Sequence, residues 1–150
     1  MIYFSEYFKN KAFNVLKKEY KYWNRIKKFL SLERVLIVKI YPLSGNGKPI
    51  FYKNKDYNLI IKWGNQKIKI SINIINDTMK KYFLDFKTWY PLGASMTNPL
   101  KGGLGEYLNK NYPKLNPRYA SVLAAIMVKE GLIENKNLKP ILIRKLKSSA

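Results

Sequence analysis

Isoleucine recurs at every second position from residue 68 to residue 74, and lysine or a small polar residue fills each position between. Successive side chains of a β-strand point to opposite faces of its sheet. This spacing therefore predicts a strand over residues 67–74 with one buried face and one polar, basic face. A half-buried strand needs partners, and the residues ahead of it are suited to provide them.

Three segments ahead of this strand are predicted to pair with it in a small antiparallel sheet. Apolar and β-branched residues concentrate in each segment, and turn-forming residues separate them. Gly64 and Asn65 suit the tight turn of a hairpin that leads into the last strand. The predicted strands span residues 34–41, 50–53, 58–63 and 67–74, and a turn is predicted at 54–56.

Helical periodicity is found on both sides of the predicted sheet. Residues 4–30 carry apolar side chains at steps of three and four, which predicts a long N-terminal helix whose other faces are rich in lysine. A middle helix is predicted from a cap at Asn76 or Asp77 to about Trp89. Its apolar stripe follows the helical period, which favours core packing over base stacking, and consists of Met79, Phe83, Phe86 and Tyr90.

Glycine and proline are frequent in residues 91–105, which predicts a connecting segment. The run from Lys101 to Gly105 fits neither the phosphate-binding loop nor the dinucleotide-binding glycine pattern. We predict that it is a flexible, basic segment able to approach a nucleic-acid backbone closely. Residues 104–111 predict a short helix that ends before Pro113.

The C-terminal third contains the signals of a well-delimited helix. Asn116 can cap it, Pro117 suits its first turn, and Gly131 suits its end, which predicts a helix over residues 118–130. A turn at 134–137 and a basic strand at 138–146 are predicted to follow.

The balance of charge restricts the function more than any motif does. Lys and Arg number 29 against 9 Asp and Glu, for a net charge of +20. So positive a chain repels itself unless a polyanion neutralises it, and nucleic acid is the first candidate and an anionic membrane surface the second. No apolar run approaches the ~20 residues of a membrane span, and no membrane partner is predicted.

Catalysis is not predicted. Cysteine and histidine are absent, which excludes zinc knuckles, thiol chemistry and a histidine base. The nine carboxylates show no paired spacing of the kind that a metal-dependent nuclease needs. We therefore predict no catalytic residue, no metal, no cofactor and no small-molecule substrate.

The predicted fold is α+β, with a long N-terminal helix, a small antiparallel sheet, a middle helix and a C-terminal helix–strand module. Residues 1–90 are predicted to hold the first three elements, 91–105 to connect, and 106–150 to form a basic nucleic-acid-binding module. Arg118 is the strongest predicted phosphate contact, because amide N–H groups at a helix start also favour anions. The predicted RNA-binding residues are Lys17, Lys18, Lys21, Arg25, Lys28, Lys67, Lys69, Lys101, Arg118, Lys136, Lys139, Arg144, Lys145 and Lys147.

The C-terminal third of the chain resembles parts of two known protein families. A helix that ends in VKEGLIENKN before a basic strand is similar to the recognition helix and wing of winged-helix proteins. The run SMTNPL at 95–100, followed by RYASVLAAIMVKEGLIENKNLKPILIRKLK at 118–147, resembles the N-terminal half of the universal small-subunit ribosomal protein eight family. The matching residues are Met96, Thr97, Asn98 and Pro99 at a helix opening, and Glu130, Gly131, Leu132 and Ile133 at the corner after the second helix.

The ribosomal resemblance implies ribosomal RNA and neighbouring ribosomal proteins as partners, and a structural role without catalysis. The expected location is then the ribosome, mitochondrial if the gene is organellar and otherwise in the cytoplasm of an AT-rich microbe. The alternative hypothesis is a winged-helix DNA-binding protein of an archaeal plasmid or virus, whose 118–130 helix would enter a major groove. A third hypothesis is a scaffold or virion component that assembles through the apolar stripe of residues 4–30.

Overall fold

The computed structural model describes residues 37–147. The predicted helix over residues 4–30 lies outside them, as do the start of the first predicted strand and five of the predicted contacts: Lys17, Lys18, Lys21, Arg25 and Lys28. Between residues 37 and 147 the fold is α+β, with three helices and two antiparallel sheets. The predicted fold class is confirmed at that level.

The first sheet has four strands in the order β1-β2-β3-β4, and each neighbouring pair is antiparallel. The strands are β1 (Val38–Ile40), β2 (Ile50–Lys55), β3 (Asn58–Trp63) and β4 (Gln66–Ser71). The hairpin turn at Gly64 and Asn65 is confirmed. The turn predicted at 54–56 is wrong, because β2 continues to Lys55 and the chain turns at Asp56 and Tyr57, whose φ angles are 52° and 61°.

The strand predicted over residues 67–74 stops at Ser71, and helix α1 (Ile72–Lys81) begins at the next residue. The Ser71 side chain accepts the Asn73 N–H at 3.2 Å, which is the bond of a helix N-cap. Ile72 and Ile75 are buried at helical spacing. The alternation of isoleucines in the sequence therefore continues past the end of the strand.

The middle helix is confirmed as an element, but its predicted bounds are wrong at both ends. Asn76 and Asp77, the predicted caps, lie inside α1. The helix ends at Lys81 rather than near Trp89, and Asp85 lies in the loop beyond it. The Asp85 carboxylate accepts the N–H groups of Lys87 and Thr88 at 2.8 and 2.7 Å, which favours a turn over further helix.

The second sheet joins the two ends of the C-terminal half. It has the order β5-β7-β6, with β5 (Tyr90–Pro91), β6 (Ile133–Lys136) and β7 (Leu142–Lys145). The helices α2 (Leu104–Asn111) and α3 (Tyr119–Lys129) lie between β5 and β6 in the chain. The turn predicted at 134–137 is wrong, because Glu134 pairs with Arg144 in a hairpin. The turn lies between Lys136 and Leu142 instead, which shortens the strand predicted at 138–146.

One apolar core runs through both sheets and all three described helices. Its members include Tyr52 of β2, Phe83 after α1, Leu104 of α2 and Ile126 of α3, each at most 1% exposed. The Tyr52 hydroxyl also donates to the Glu130 carboxylate at 2.5 Å and so ties the first sheet to the end of α3. The three-part division at 1–90, 91–105 and 106–150 stays a prediction.

The glycine-rich run before α2 packs against this chain's own backbone. The Gly105 N–H donates to the Leu92 carbonyl at 3.0 Å, and a Cβ on Gly105 would overlap the Gly93 carbonyl oxygen. A glycine allows so close an approach because it has no side chain. The run thus approaches the backbone of residues 91–93, and Lys101 is exposed; the predicted approach to a nucleic-acid backbone stays a prediction.

Candidate nucleic-acid interface

The pairing of the four strands divides the side chains of the first sheet into two faces. Tyr52, Ile61 and Ile68 occupy partnered positions on the face that packs into the core. The alternate residues form the opposite face, which we call the outer face. It consists of Lys39, Phe51, Lys53, Lys55, Asn58, Ile60, Lys62, Lys67, Lys69 and Ser71.

The charge of the outer face has one sign. Six of its residues are lysines, and none of the four strands contains aspartate or glutamate. Lys62 and Lys67 are direct cross-strand partners. Like charges directly opposite each other destabilise a sheet, so this pair weakens the free protein. A polyanion lying on the outer face would relieve that repulsion.

A groove of about 430 Å³ lies on the outer face. Apolar side chains of Ile37, Phe51 and Ile60 line it beside the aliphatic and charged parts of Lys53 and Lys67. Ile37 is 61% exposed. Nucleic-acid grooves for single strands combine an apolar or aromatic surface for bases with cations for phosphates, and this groove has both parts.

The β6–β7 hairpin carries a second group of cations, and part of it is already engaged. Two cations contact the Trp89 ring: Lys136 Nζ lies 4.3 Å from its centroid and Arg144 Cζ lies 4.2 Å from it. Arg144 Nη2 also pairs with Glu134 Oε1 at 3.0 Å. Arg144 is thus held by structural contacts, and Lys136 stays exposed.

Lys145 is a correction to the predicted contacts. It alternates onto the core side of β7 with Ile143 and is only 3% exposed. Its Nζ lies 5.0 Å from the centroid of the Phe86 ring. A phosphate cannot reach a side chain so enclosed, and Lys145 serves packing instead.

The remaining predicted contacts are spread over several elements. Only Lys67 and Lys69 lie on the outer face, where four lysines missed by the prediction join them. Strand alternation in β1, β2 and β3 was the signal that could have found those four, which are Lys39, Lys53, Lys55 and Lys62. The other predicted contacts that are exposed lie elsewhere, namely Lys101, Arg118, Lys136, Lys139 and Lys147.

Helix α3 is enclosed along most of its length. Residues 122–127 are all at most 4% exposed. The first sheet approaches α3 at both ends, through the Tyr52–Glu130 hydrogen bond and through Arg118, whose Cζ lies 5.2 Å from the Trp63 ring centroid. A recognition helix needs an open face to enter a major groove, and α3 has none there.

The start of α3 also differs from the prediction. The N-cap residue is Arg118 and no side chain caps the helix, so the predicted cap at Asn116 is wrong; Asn116 Oδ1 instead accepts the Arg118 N–H at 3.0 Å in the turn ahead of the helix. The N–H groups of Ala120 and Ser121 donate to the carbonyls of Pro117 and Arg118. These amides are therefore occupied, and any anion at this point would be bound by the Arg118 guanidinium alone.

Three tyrosines have perturbed acidity. Burial raises the pKa of Tyr82 far above its ordinary value, with the charges of Tyr90 and Glu106 adding to the effect, and its hydroxyl donates to the Gly102 carbonyl at 2.8 Å. Burial, with Asp77 nearby, also raises the pKa of Tyr107 and of Tyr112. The Tyr112 hydroxyl likewise donates, to Asp77 Oδ2 at 3.3 Å.

No protein-family model, curated protein or solved structure matches this chain. What the site binds must be inferred from its own geometry. Within residues 37–147, no three acidic side chains come together as a group that could hold a metal ion. None of the helices in that stretch is long and apolar enough to cross a membrane.

Proposed function

We propose that this chain binds RNA across the outer face of its first sheet, as a structural component of a ribosome or a similar ribonucleoprotein particle. One observation carries the proposal: six lysines and no carboxylate occupy the strands of an open face, with Phe51 and Ile60 between them. Each lysine that meets a phosphate releases condensed counterions, which supplies the affinity.

Single-stranded or looped RNA fits the outer face better than a duplex does. Sheet surfaces recognise RNA by stacking unpaired bases on exposed rings while flanking cations hold the backbone. Phe51 is half-buried and offers the edge or face of one ring on this surface, with Lys39 Nζ 5.8 Å from its centroid. A regular duplex keeps its bases inside and would engage only the lysines.

Residues 1–36 contain nine Lys and Arg against three Glu, so their charge has the same sign as the outer face. Charge complementarity favours a polyanion.

A second candidate function, duplex DNA binding, draws on the order of elements. The succession α1, β5, α2, α3, β6, β7 with the sheet order β5-β7-β6 is similar to that of winged-helix modules. Because α3 is covered, the contact would fall to the hairpin tip. Lys136, Lys139 and Leu138, which is 56% exposed, form that tip.

Fluorescence anisotropy with a labelled single-stranded RNA of about 12 nucleotides and a matched DNA duplex distinguishes the two candidates. Six phosphate contacts on a single strand give a log–log salt slope of roughly −4. We expect that slope, a loss of RNA affinity on Lys62→Glu, and little effect of Lys139→Glu. A slope near zero would refute RNA binding, and dependence on Lys139 with preference for duplex would favour the hairpin.

The ribosomal part of the proposal needs a separate measurement. Cell lysate is sedimented on a gradient at moderate and at high salt, and the chain is followed by antibody. We expect it to travel with ribosomal particles at moderate salt and to leave them at high salt, because its contacts are electrostatic. Sedimentation as free protein at both salt levels would remove the ribosomal assignment while leaving RNA binding to the anisotropy experiment.

A further inference from the structure

A second cleft, of about 550 Å³, lies at the end of the first sheet. Four segments meet there: the loop between β1 and β2, the Gly64–Asn65 hairpin, Ala94 after β5, and the start of α3. Its two charged lining residues are Lys48 and Arg118, and no carboxylate lines it. We call it the hairpin cleft, and we propose that it binds a nucleoside phosphate.

Two planar groups form one side of the hairpin cleft. The Arg118 guanidinium lies over the Trp63 ring at 5.2 Å, and the Trp63 side chain is only partly buried. Nucleic-acid-binding proteins stack bases both on aromatic rings and on guanidinium planes. Trp63 and Arg118 therefore provide a surface for a base, and the guanidinium keeps donors free to reach a phosphate beside it.

Lys48 is held across the hairpin turn. A Cβ on Gly64 would lie 3.2 Å from Lys48 Cδ and 3.8 Å from Nζ, so the lysine crosses the backbone where no side chain intervenes. Gly64 has φ +61°, a conformation that suits glycine. Lys48 and Arg118 line the same cleft, so the ammonium and the guanidinium are both available to a phosphate bound there.

The neutral lining completes the match to a nucleotide. The side-chain amides of Asn65 and Gln66 line the cleft and make no hydrogen bond to any other residue described between 37 and 147. An amide offers both a donor and an acceptor, the combination that base edges present. The volume falls within the 300–1,000 Å³ that is typical of small-molecule sites, at roughly the middle of that range.

The nucleoside phosphate could come from two sources, a free mononucleotide or the end of an RNA strand. Asn65 and Gln66 also line the groove on the outer face, so the two sites are continuous around the hairpin. A strand that crosses the outer face could place its terminal nucleotide in the hairpin cleft. That source rests on the proposed function, whereas a free mononucleotide does not.

The test follows the indole N–H resonance of Trp63, assigned with Trp63→Phe, while adenosine and uridine 5′-monophosphate are titrated into the ¹⁵N-labelled full chain. We expect a saturable shift with a dissociation constant below about 1 mM. Arg118→Ala and Lys48→Ala should each weaken binding about tenfold or more, because each removes a charged hydrogen bond to phosphate. Arg118→Lys should lose part of the affinity, since it keeps the charge and removes the plane.

Two controls make the outcome specific. Lys114→Ala removes an exposed cation outside the cleft, and Lys67→Glu alters only the outer face, so neither should change mononucleotide binding. Trp63 shifts that are absent, or that inorganic phosphate reproduces with equal affinity, would overturn the proposal.

Binding of oligonucleotides with and without a terminal phosphate distinguishes the two sources. A terminal phosphate that raises affinity about tenfold, with the gain lost in Arg118→Ala, assigns the cleft to strand ends. Mononucleotide binding without that gain assigns it to a free nucleotide. If Lys67→Glu leaves oligonucleotide affinity intact while mononucleotides still move Trp63, the outer-face function fails and the hairpin cleft stands.

Discussion

Replacement of Lys67 by glutamate should stabilise the free protein and weaken its binding to RNA. Lys67 lies directly opposite Lys62, so the substitution turns a like-charge pair into an opposite-charge pair. Cross-strand charge pairs contribute roughly 0.2–1 kcal/mol, and removal of the repulsion adds a similar amount. For a chain of this length, about 1 kcal/mol corresponds to a rise in melting temperature of roughly 2–4 °C.

The same substitution acts against RNA. One of six lysines on the outer face is lost, so the log–log salt slope on a single strand should fall in magnitude by about 0.7, from about −4.2 to about −3.5. The new carboxylate also repels phosphate. A side chain that only packs in the fold would not raise stability and lower RNA affinity in the same substitution.

The assay combines thermal melting by circular dichroism with anisotropy on labelled single-stranded RNA. Melting at low salt should show the stabilisation, and it should disappear near 1 M salt, where the screening length is only about 3 Å. Lys114→Glu is the matched control, because Lys114 is exposed in the loop between α2 and α3 and lies outside both sheets. It changes the net charge equally without touching the cross-strand pair.

Either of two results would refute the reasoning. A lower melting temperature for Lys67→Glu at low salt would mean that Lys62 and Lys67 do not repel each other in the folded protein. RNA affinity that falls no more than in Lys114→Glu would mean that only net charge matters and that the outer face is not the binding surface.

Three further predictions concern the fold that supports this face. Gly105→Ala should lower the free energy of unfolding in urea by about 3 kcal/mol, because its Cβ would overlap the Gly93 carbonyl. The control Gly102→Ala has open space around its Cβ and should cost about 1 kcal/mol from its positive φ alone. Tyr52→Phe removes the hydrogen bond to Glu130 and should cost roughly 1.5–3 kcal/mol in the same measurement, with an unchanged circular dichroism spectrum. Folding raises the pKa of Tyr82, so its contribution to stability is complete below the unfolded pKa near 10. Above that pH the contribution is lost by about 1.4 kcal/mol per pH unit, because the unfolded state releases the proton more readily. Tyr82→Phe should therefore flatten the decline in unfolding free energy between about pH 10 and 11.

Local chemistry made several elements predictable. Gly64 and Asn65 suit only a few turn types, so the hairpin between β3 and β4 followed from two residues. The Asn116 side chain accepts the Arg118 N–H in the turn ahead of α3, a bond that spans two residues. Features of this kind depend on neighbours in the sequence and need no knowledge of the tertiary fold.

The switch from strand to helix at Ser71 was harder to predict. Ile72 and Ile74 continue the alternation of β4, and Ile72, Ile75 and Met79 begin a helical period at the same place. Both periods fit the isoleucines. The Ser71 hydroxyl decides between them by capping the helix, and a serine flanked by isoleucines is too common a signal to stand out.

The candidate site was predictable only in part, because register and burial are tertiary properties. Charge composition indicated a polyanion, and alternation placed Lys67 and Lys69 on one face. The opposition of Lys62 to Lys67 requires the pairing of β3 with β4. The burial of Lys145 requires knowing which face of β7 meets the core, and a lysine-rich strand alone favours the wrong choice.

The first sheet determines which surface of the molecule remains for a ligand. Two helices followed by a hairpin would ordinarily present the second helix to a groove. Here the first sheet contacts both ends of α3 through Tyr52 and Trp63. The surface of α3 that would have to enter a groove is therefore buried. The sheet that covers the helix turns its own opposite face outward, and that face holds Lys62, Lys67 and four more lysines. Under the proposed function, binding would fall not to a helix that reads base edges in a duplex but to a sheet suited to phosphates and unpaired bases.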